Sequence, residues 1–189
     1  MSTIALALHE PAAGRVRDIW AHLGAQFGLA GIRRVPFPHL TLLGFEGLDH
    51  DRAKEVLERF SQETAPFALE AHGLGLFHGS SPILYAPVVK TPTLEALHRS
   101  LAAAFQALGA QTYPLYEPDR WIPHITLAQG APARGTYGEA VDLLLGMDLH
   151  IPFEVRNLTL FQWIGPRYEP ADRFPLMGPL CDVQNNPGA

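Results

Sequence analysis

Two five-residue stretches of this chain repeat each other at a fixed distance, and that repetition limits what the chain can fold into. Pro38-His39-Leu40-Thr41-Leu42 is echoed by Pro123-His124-Ile125-Thr126-Leu127, 85 positions later. Pro66-Phe67-Ala68-Leu69-Glu70 matches Pro152-Phe153-Glu154-Val155-Arg156 at 86, and Leu74-Gly75-Leu76-Phe77 matches Leu158-Thr159-Leu160-Phe161 at 84. A nearly constant offset over three matches predicts a duplicated structural unit. The repeats are expected over about 3–80 and 82–177 of one bilobal domain covering 1–189, with the tail 184–189 frayed.

Periodicity fills in the unit. Thr3 to His9 reads as a strand, and Pro11 opens a helix to about Phe27 with Val16, Ile19, Trp20 and Leu23 at helical spacing. Phe37 to Phe45 reads as a strand after two prolines. Asp49 caps an amphipathic helix that ends near Thr64. Two strands follow, Phe67–Phe77 and Ile83–Val89, and then a helix from Thr93 to Leu108 that Gly109 ends. A loop with Tyr113 and Tyr116, a strand Trp121–Ala128, a helix near Gly138–Leu145 and a strand Phe153–Trp163 complete the second copy. The order of helix, His strand, helix and strand is the same in both halves, so the expected class is α+β.

Each His-x-Thr places an imidazole and a hydroxyl on one face of a strand, because residues i and i+2 project together. Leu40, Leu42, Ile125 and Leu127 anchor the opposite face. If the halves pack about a pseudo-twofold axis, the two pairs meet across a cleft. Two groups that titrate near neutrality and two hydroxyl donors then surround one small volume. That set suits phosphodiester chemistry: a neutral His takes a proton from the attacking oxygen, a protonated one gives a proton to the leaving oxygen, and the hydroxyls hold the non-bridging oxygens. The imidazoles should then lie roughly 5–8 Å apart. With nine His and nine Thr in the chain, chance predicts roughly 0.1 match to His-apolar-Thr-apolar. Two matches argue against a pair of merely structural histidines.

These tandem motifs, His39-Leu40-Thr41-Leu42 and His124-Ile125-Thr126-Leu127, resemble those of the two-histidine (2H) phosphoesterase superfamily. The segment Trp121-Ile122-Pro123-His124-Ile125-Thr126-Leu127-Ala128 is similar to the bacterial branch called 2'-5' RNA ligases. The resemblance runs from about Thr3 to Leu176. It implies a bilobal α+β fold with a pseudo-twofold duplicated unit, antiparallel sheets lining a central cleft and helices packed outside. It also implies metal-independent opening of 2',3'-cyclic phosphates at RNA ends or on nucleotides, or cleavage of 2'-5' linkages, with 2'-5' ligation as the reverse of that cleavage. His39 and His124 match the catalytic histidines, and Thr41 and Thr126 the phosphate-binding hydroxyls.

Further candidates surround the motifs. Arg120 either neutralises a phosphate or is an ordinary exposed loop arginine. Trp121 either stacks on a base or packs in the core. Arg33 and Arg34 precede the first motif and either line the entry or stand solvated. Phe77 and His78, at an expected hairpin end, either reach the cleft or are turn residues without a function, and Tyr113 and Tyr116 are candidate lid aromatics. The other histidines lack metal-ligand spacing, so neither a metal nor another cofactor is expected.

Charge and composition narrow the partners. The formal net charge is −5, which argues against an extended duplex nucleic acid and leaves an RNA 3' end or a small cyclic nucleotide as substrate. The single cysteine, Cys181, has no internal partner, and no apolar run approaches the ~20 residues of a membrane span. A cytoplasmic monomer is expected, because the paired halves close the cleft within one chain. The rival from another class is a non-catalytic nucleotide or RNA-end binding module. A third alternative is a metal-dependent hydrolase, which sensitivity to chelator would identify.

Overall fold

The computed structural model describes residues 2–29, 35, 37–130, 135–165 and 167–179. The elements run β1 (Ser2–Ala7), α1 (Ala12–Phe27), β2 (His39–Glu46), α2 (His50–Glu63), β3 (Phe67–Ala71), β4 (Gly75–Phe77) and β5 (Ile83–Pro87). They continue through α3 (Pro92–Ala107), β6 (Gln111–Thr112), a 3-10 turn at Pro114–Tyr116, β7 (His124–Gln129), α4 (Thr136–Leu145), β8 (Ile151–Val155), β9 (Asn157–Ile164) and β10 (Arg167–Pro175). Local chemistry sets several boundaries. Asp49 caps α2 by accepting from the Arg52 N–H at 2.9 Å, and Thr91 caps α3 by accepting from the Leu94 N–H at 3.3 Å. Strand β7 starts at His124, three residues later than expected, directly after Pro123, which has no N–H to give a ladder.

The large sheet is antiparallel throughout, in the order β10-β9-β1-β2-β7-β5-β4, with β6 added to β2. Its centre is thin: β2 and β7 are joined by one bridging pair, Leu40 with Ile125. Those two residues are equivalent in the duplication, so the pseudo-twofold axis passes between them. The ladder between β2 and β7 does not extend beyond that pair on either side. Helices α1 and α4 pack together behind one lobe, and α2 and α3 behind the other. Leu6, Leu40, Leu43, Leu84, Ile125 and Leu127 are fully buried beneath them.

The halves exchange strands. β4, from the first half, pairs with β5 of the second, and β9, from the second, pairs with β1 of the first. This corrects the expected strands Phe67–Phe77 and Phe153–Trp163. Each is two strands, and the first parts, β3 and β8, pair with each other as a separate two-stranded sheet. In the first copy the break falls at Gly73, whose φ of +87° is a left-handed conformation that a strand does not use. In the second it falls at Arg156. Strand β10 has no counterpart among the expected elements.

Both motif strands carry the same irregularity. Thr41 pairs with Ala5 and Leu43 with Ile4, so Leu42 is an extra residue; Thr126 pairs with Tyr85 and Ala128 with Leu84, so Leu127 is its counterpart. A bulge reverses the alternation beyond it. That reversal explains the consecutive apolar residues Leu42-Leu43 and Leu127-Ala128, and it returns Gly44 and Gln129 to the cleft face.

Candidate functional site

The register at the axis assembles the two motifs. Continued by one residue each way from Leu40 and Ile125, it sets His39 opposite Thr126 and Thr41 opposite His124. In a regular ladder this places the two histidines on a diagonal, where Cβ atoms are about 7 Å apart. All four line one cavity of about 240 Å³, together with Thr3, Gly44, Gln129, Phe161 and Tyr168. Tyr113 and Tyr116 close it from the loop after β6, lying so near β2 that a Cβ on Gly44 would come within 2.9 Å of both rings.

Each histidine is held in the same way. His39 Nδ1 lies 2.6 Å from the Phe37 carbonyl oxygen, and His124 Nδ1 lies 2.7 Å from that of Ile122. A carbonyl only accepts, so Nδ1 carries the proton and Nε2 is the basic nitrogen of each neutral ring. Burial lowers the pKa of both imidazoles. The carbonyl bonds act in the opposite direction, and at His39 the charge of His124 adds to the lowering. A phenylalanine from the exchanged strand backs each ring: Phe161 stands 5.8 Å from His39 and Phe77 5.0 Å from His124, between centroids. Tyr85 stands 5.1 Å from His124 as well.

The bulges leave backbone carbonyls to be satisfied, and indoles satisfy the equivalent one in each half. Trp121 Nε1 donates to the Thr41 carbonyl at 3.0 Å, and Trp20 Nε1 donates to that of Thr126 at 2.9 Å. His98 Nε2 donates to the Leu42 carbonyl at 3.1 Å while its ring lies flat on Trp121, 3.8 Å between centroids. His98 is 1% exposed, and burial lowers its pKa to about 4. It is neutral at pH 7 and serves as a fixed donor beneath the motif strand.

The other sequence candidates are distributed around this centre. Trp121 is core: one face lies on His98, and the Lys90 ammonium stands 5.7 Å from the ring centroid. Arg120, Phe77 and His78 line a second cavity of about 370 Å³ that also reaches His124. The Arg120 guanidinium is largely exposed, 3.7 Å from the Glu117 carboxylate. Arg33, Arg34 and Cys181 lie outside the described residues. Thr3, Gln129, Phe161 and Tyr168 escaped the sequence reading, although Phe161 is the repeat partner of Phe77. A larger cavity, of about 690 Å³, lies elsewhere, lined by His9, Pro66 and Pro152, and the charged side chains it contains are paired: Glu10 with Arg17, and Glu154 with Arg156. Among the described residues no group of three His, Cys, Asp or Glu could hold a metal ion, and no helix is long and apolar enough to cross a membrane.

Comparison with known proteins agrees with this architecture. No curated protein matches the sequence. The crystal structure of TT0787 of Thermus thermophilus superposes with a TM-score of 0.66 at 19% identity, over 95% of this chain and 99% of that one. E. coli LigT complexed with 3'-AMP superposes at 0.61 with 21% identity, over 93% and 97%, and Kluyveromyces marxianus Usb1 at 0.50 with 11% identity, over 93% and 97%. These similarities share the fold: mixed helices and antiparallel sheet, with no closed barrel among the described residues. The model of the 2'-5' RNA ligase superfamily matches residues 8–167, and the chain therefore belongs to that superfamily of two-histidine phosphoesterases.

Proposed function

We propose that the protein is a metal-independent phosphodiesterase that opens 2',3'-cyclic phosphates of RNA ends or small nucleotides. Its two histidines act as general base and general acid. The observation that carries the reading is the matched pair of imidazoles, each with Nδ1 tied to a carbonyl two residues back and Nε2 left for proton transfer, on opposite sides of one cavity.

The neutral imidazole takes a proton from water as the water oxygen attacks phosphorus. The protonated one donates to the ribose oxygen as its bond to phosphorus breaks. Thr41 and Thr126 donate to the non-bridging oxygens, where negative charge builds up. With the 5'-hydroxyl of a second chain in place of water, the same forward steps join ends through a 2'-5' linkage as the ribose 3'-oxygen leaves; run backwards, they cleave that linkage. The lobes act together as one unit, because each supplies one imidazole and one hydroxyl. Crystal structures of E. coli LigT with 3'-AMP and with phosphate accord with a small phosphate ester as the ligand of this fold.

The test is turnover of a short RNA ending in 2',3'-cyclic phosphate, with chelator present, by the native protein and by His39→Ala and His124→Ala. Hydrolysis by the native protein and its loss in both variants is the expected result. Binding of that RNA without turnover would replace the enzyme with a binding module. The product end, 2'- or 3'-phosphate, identifies which oxygen leaves.

A further inference from the structure

The cavity between the motif strands has unlike ends. Thr3 pairs with Gly44 on β2, and Ile83 pairs with Gln129 on β7. Gly44 and Gln129 are 85 positions apart, the offset of the motifs, so Thr3 and Ile83 are equivalent in the duplication. Both line the cavity. Ile83 also lines the groove beside His124, where the exposed Leu76, Leu115 and Ile122 make an apolar rim. The Thr3 end instead carries hydroxyls. Tyr168 lines the cavity there, with its ring edge-on to Trp163 at 5.0 Å between centroids. The Tyr168 hydroxyl is buried and has no hydrogen-bond partner among the described residues. The Thr3 hydroxyl lies beside it, short of hydrogen-bond geometry, and works against the upward shift that burial gives the Tyr168 pKa.

A buried hydroxyl without a partner is costly, and its presence in a cavity calls for a reason. A hydroxyl group has one proton to give and lone pairs to receive another. When Thr3 donates its proton to a ligand, its oxygen is free to accept from Tyr168, and the orphan is satisfied. Thr3 faces Gly44, on the far side of the bulge from Thr41, so it stands farther from the axis than the hydroxyls that hold the phosphate. In a nucleoside cyclic phosphate the atoms beyond the phosphate belong to the ribose, whose oxygens accept hydrogen bonds. We infer that Thr3 is a third substrate-contacting hydroxyl, donating to a ribose oxygen of the ester held between His39 and His124, and that Tyr168 is a positioning residue acting through Thr3. This rests on the phosphodiesterase reading above and adds to it a contact with the sugar.

The test compares cytidine 2',3'-cyclic phosphate with ethylene phosphate, a five-membered cyclic diester that lacks the rest of the sugar. Thr3→Val should lower the ratio of kcat/KM for the cytidine ester to that for ethylene phosphate about three- to tenfold, the size of one hydrogen bond. Thr3→Ser, which keeps the hydroxyl, should hold the ratio within about twofold of the native one. Tyr168→Phe should lower it about two- to fivefold, and no further when added to Thr3→Val. Because the Tyr168 hydroxyl makes no bond in the free protein, Tyr168→Phe should not lower the denaturant midpoint. An unchanged ratio in Thr3→Val overturns the inference, since Thr3 would then serve the phosphate, the attacking water or the fold. A further loss on adding Tyr168→Phe, or a lowered midpoint, overturns the positioning role. If the native protein turns over neither ester, the phosphodiesterase reading fails. In that case, or if ethylene phosphate alone is not turned over, calorimetry with adenosine 3'-monophosphate and with inorganic phosphate replaces the ratio. Thr3→Val weakening the nucleotide about three- to tenfold more than phosphate then supports the contact, while equal weakening, or a native protein that binds neither, overturns it.

Discussion

The two motif strands share a frame but not a setting. On the β1 side, the position opposite Thr41 is Ala5, and its neighbour on the exchanged strand is Thr159. On the β5 side, the equivalent positions are Tyr85 and Gly75. One half puts bulk on the inner strand and removes it from the outer one; the other does the reverse. The exchange is steric, since a Cβ on Gly75 would come within 2.3 Å of the Tyr85 ring. Compensated swaps of this kind keep a frame intact while its contents diverge. The two imidazoles therefore have the same tether and tautomer but different neighbours, and only His124 opens on an apolar groove. One frame, used twice, thus gives its two imidazoles different surroundings.

Removing either imidazole tests that division most severely. His39→Ala and His124→Ala should each lower kcat by about 10²- to 10⁴-fold. The two variants should lose different limbs of the pH–rate profile, and identical residual profiles would make the histidines interchangeable. In the native protein both pKa values lie below the ordinary imidazole value, so the kcat/KM optimum belongs on the acid side of ~6.5. Bound phosphate raises both, so the optimum in kcat should lie higher than that in kcat/KM.

His98 has no counterpart beneath the second strand, and acid unfolding should expose that difference. Its folded pKa of about 4 lies below the unfolded value of 6.5. The unfolded chain thus binds more protons in that window, and stability falls as pH drops from 6.5 toward 4. Over 2.5 units the loss is about 3 kcal/mol. His98→Gln should flatten that segment of the stability–pH curve in denaturant titrations, and an unchanged slope would assign the acid sensitivity elsewhere.

The steric exchange makes a smaller prediction. Gly75→Ala should destabilise the protein by about 1–3 kcal/mol, and adding Tyr85→Ala should recover part of that loss in a double-mutant cycle. Additive losses would separate the two positions. Smallest are the indole donors: Trp20→Phe and Trp121→Phe each remove one hydrogen bond to a threonine carbonyl, worth about 1 kcal/mol. Trp121→Phe should have the larger effect, because it also disturbs the stack on His98.

The grouping of the four motif side chains around one cavity was legible because the motifs are written in short runs with strand period. His39, Thr41, His124 and Thr126 converge as their spacing requires, and even the bulges leave a trace in Leu42-Leu43 and Leu127-Ala128. The strand exchange was not legible. Phe67–Phe77 and Phe153–Trp163 read as continuous strands because periodicity carries no information about which partner a strand takes. Trp121 was open between base and core for a related reason: its indole is committed to Thr41, 80 positions away. Thr3 on β1 and Tyr168 on the edge strand β10 enter the cavity by register alone.

The exchange of β4 and β9 between halves also governs how the chain reaches this structure. Until residues 157–164 have been synthesised, β1 lacks one neighbour, and β4 has no partner before β5 exists. A first half without the second therefore leaves edges of β1 and β4 unpaired. Contacts between β1 and β9 span about 155 residues, so their loop-closure cost falls in the slow part of folding. The cavity needs both lobes, because each contributes one motif strand to its walls.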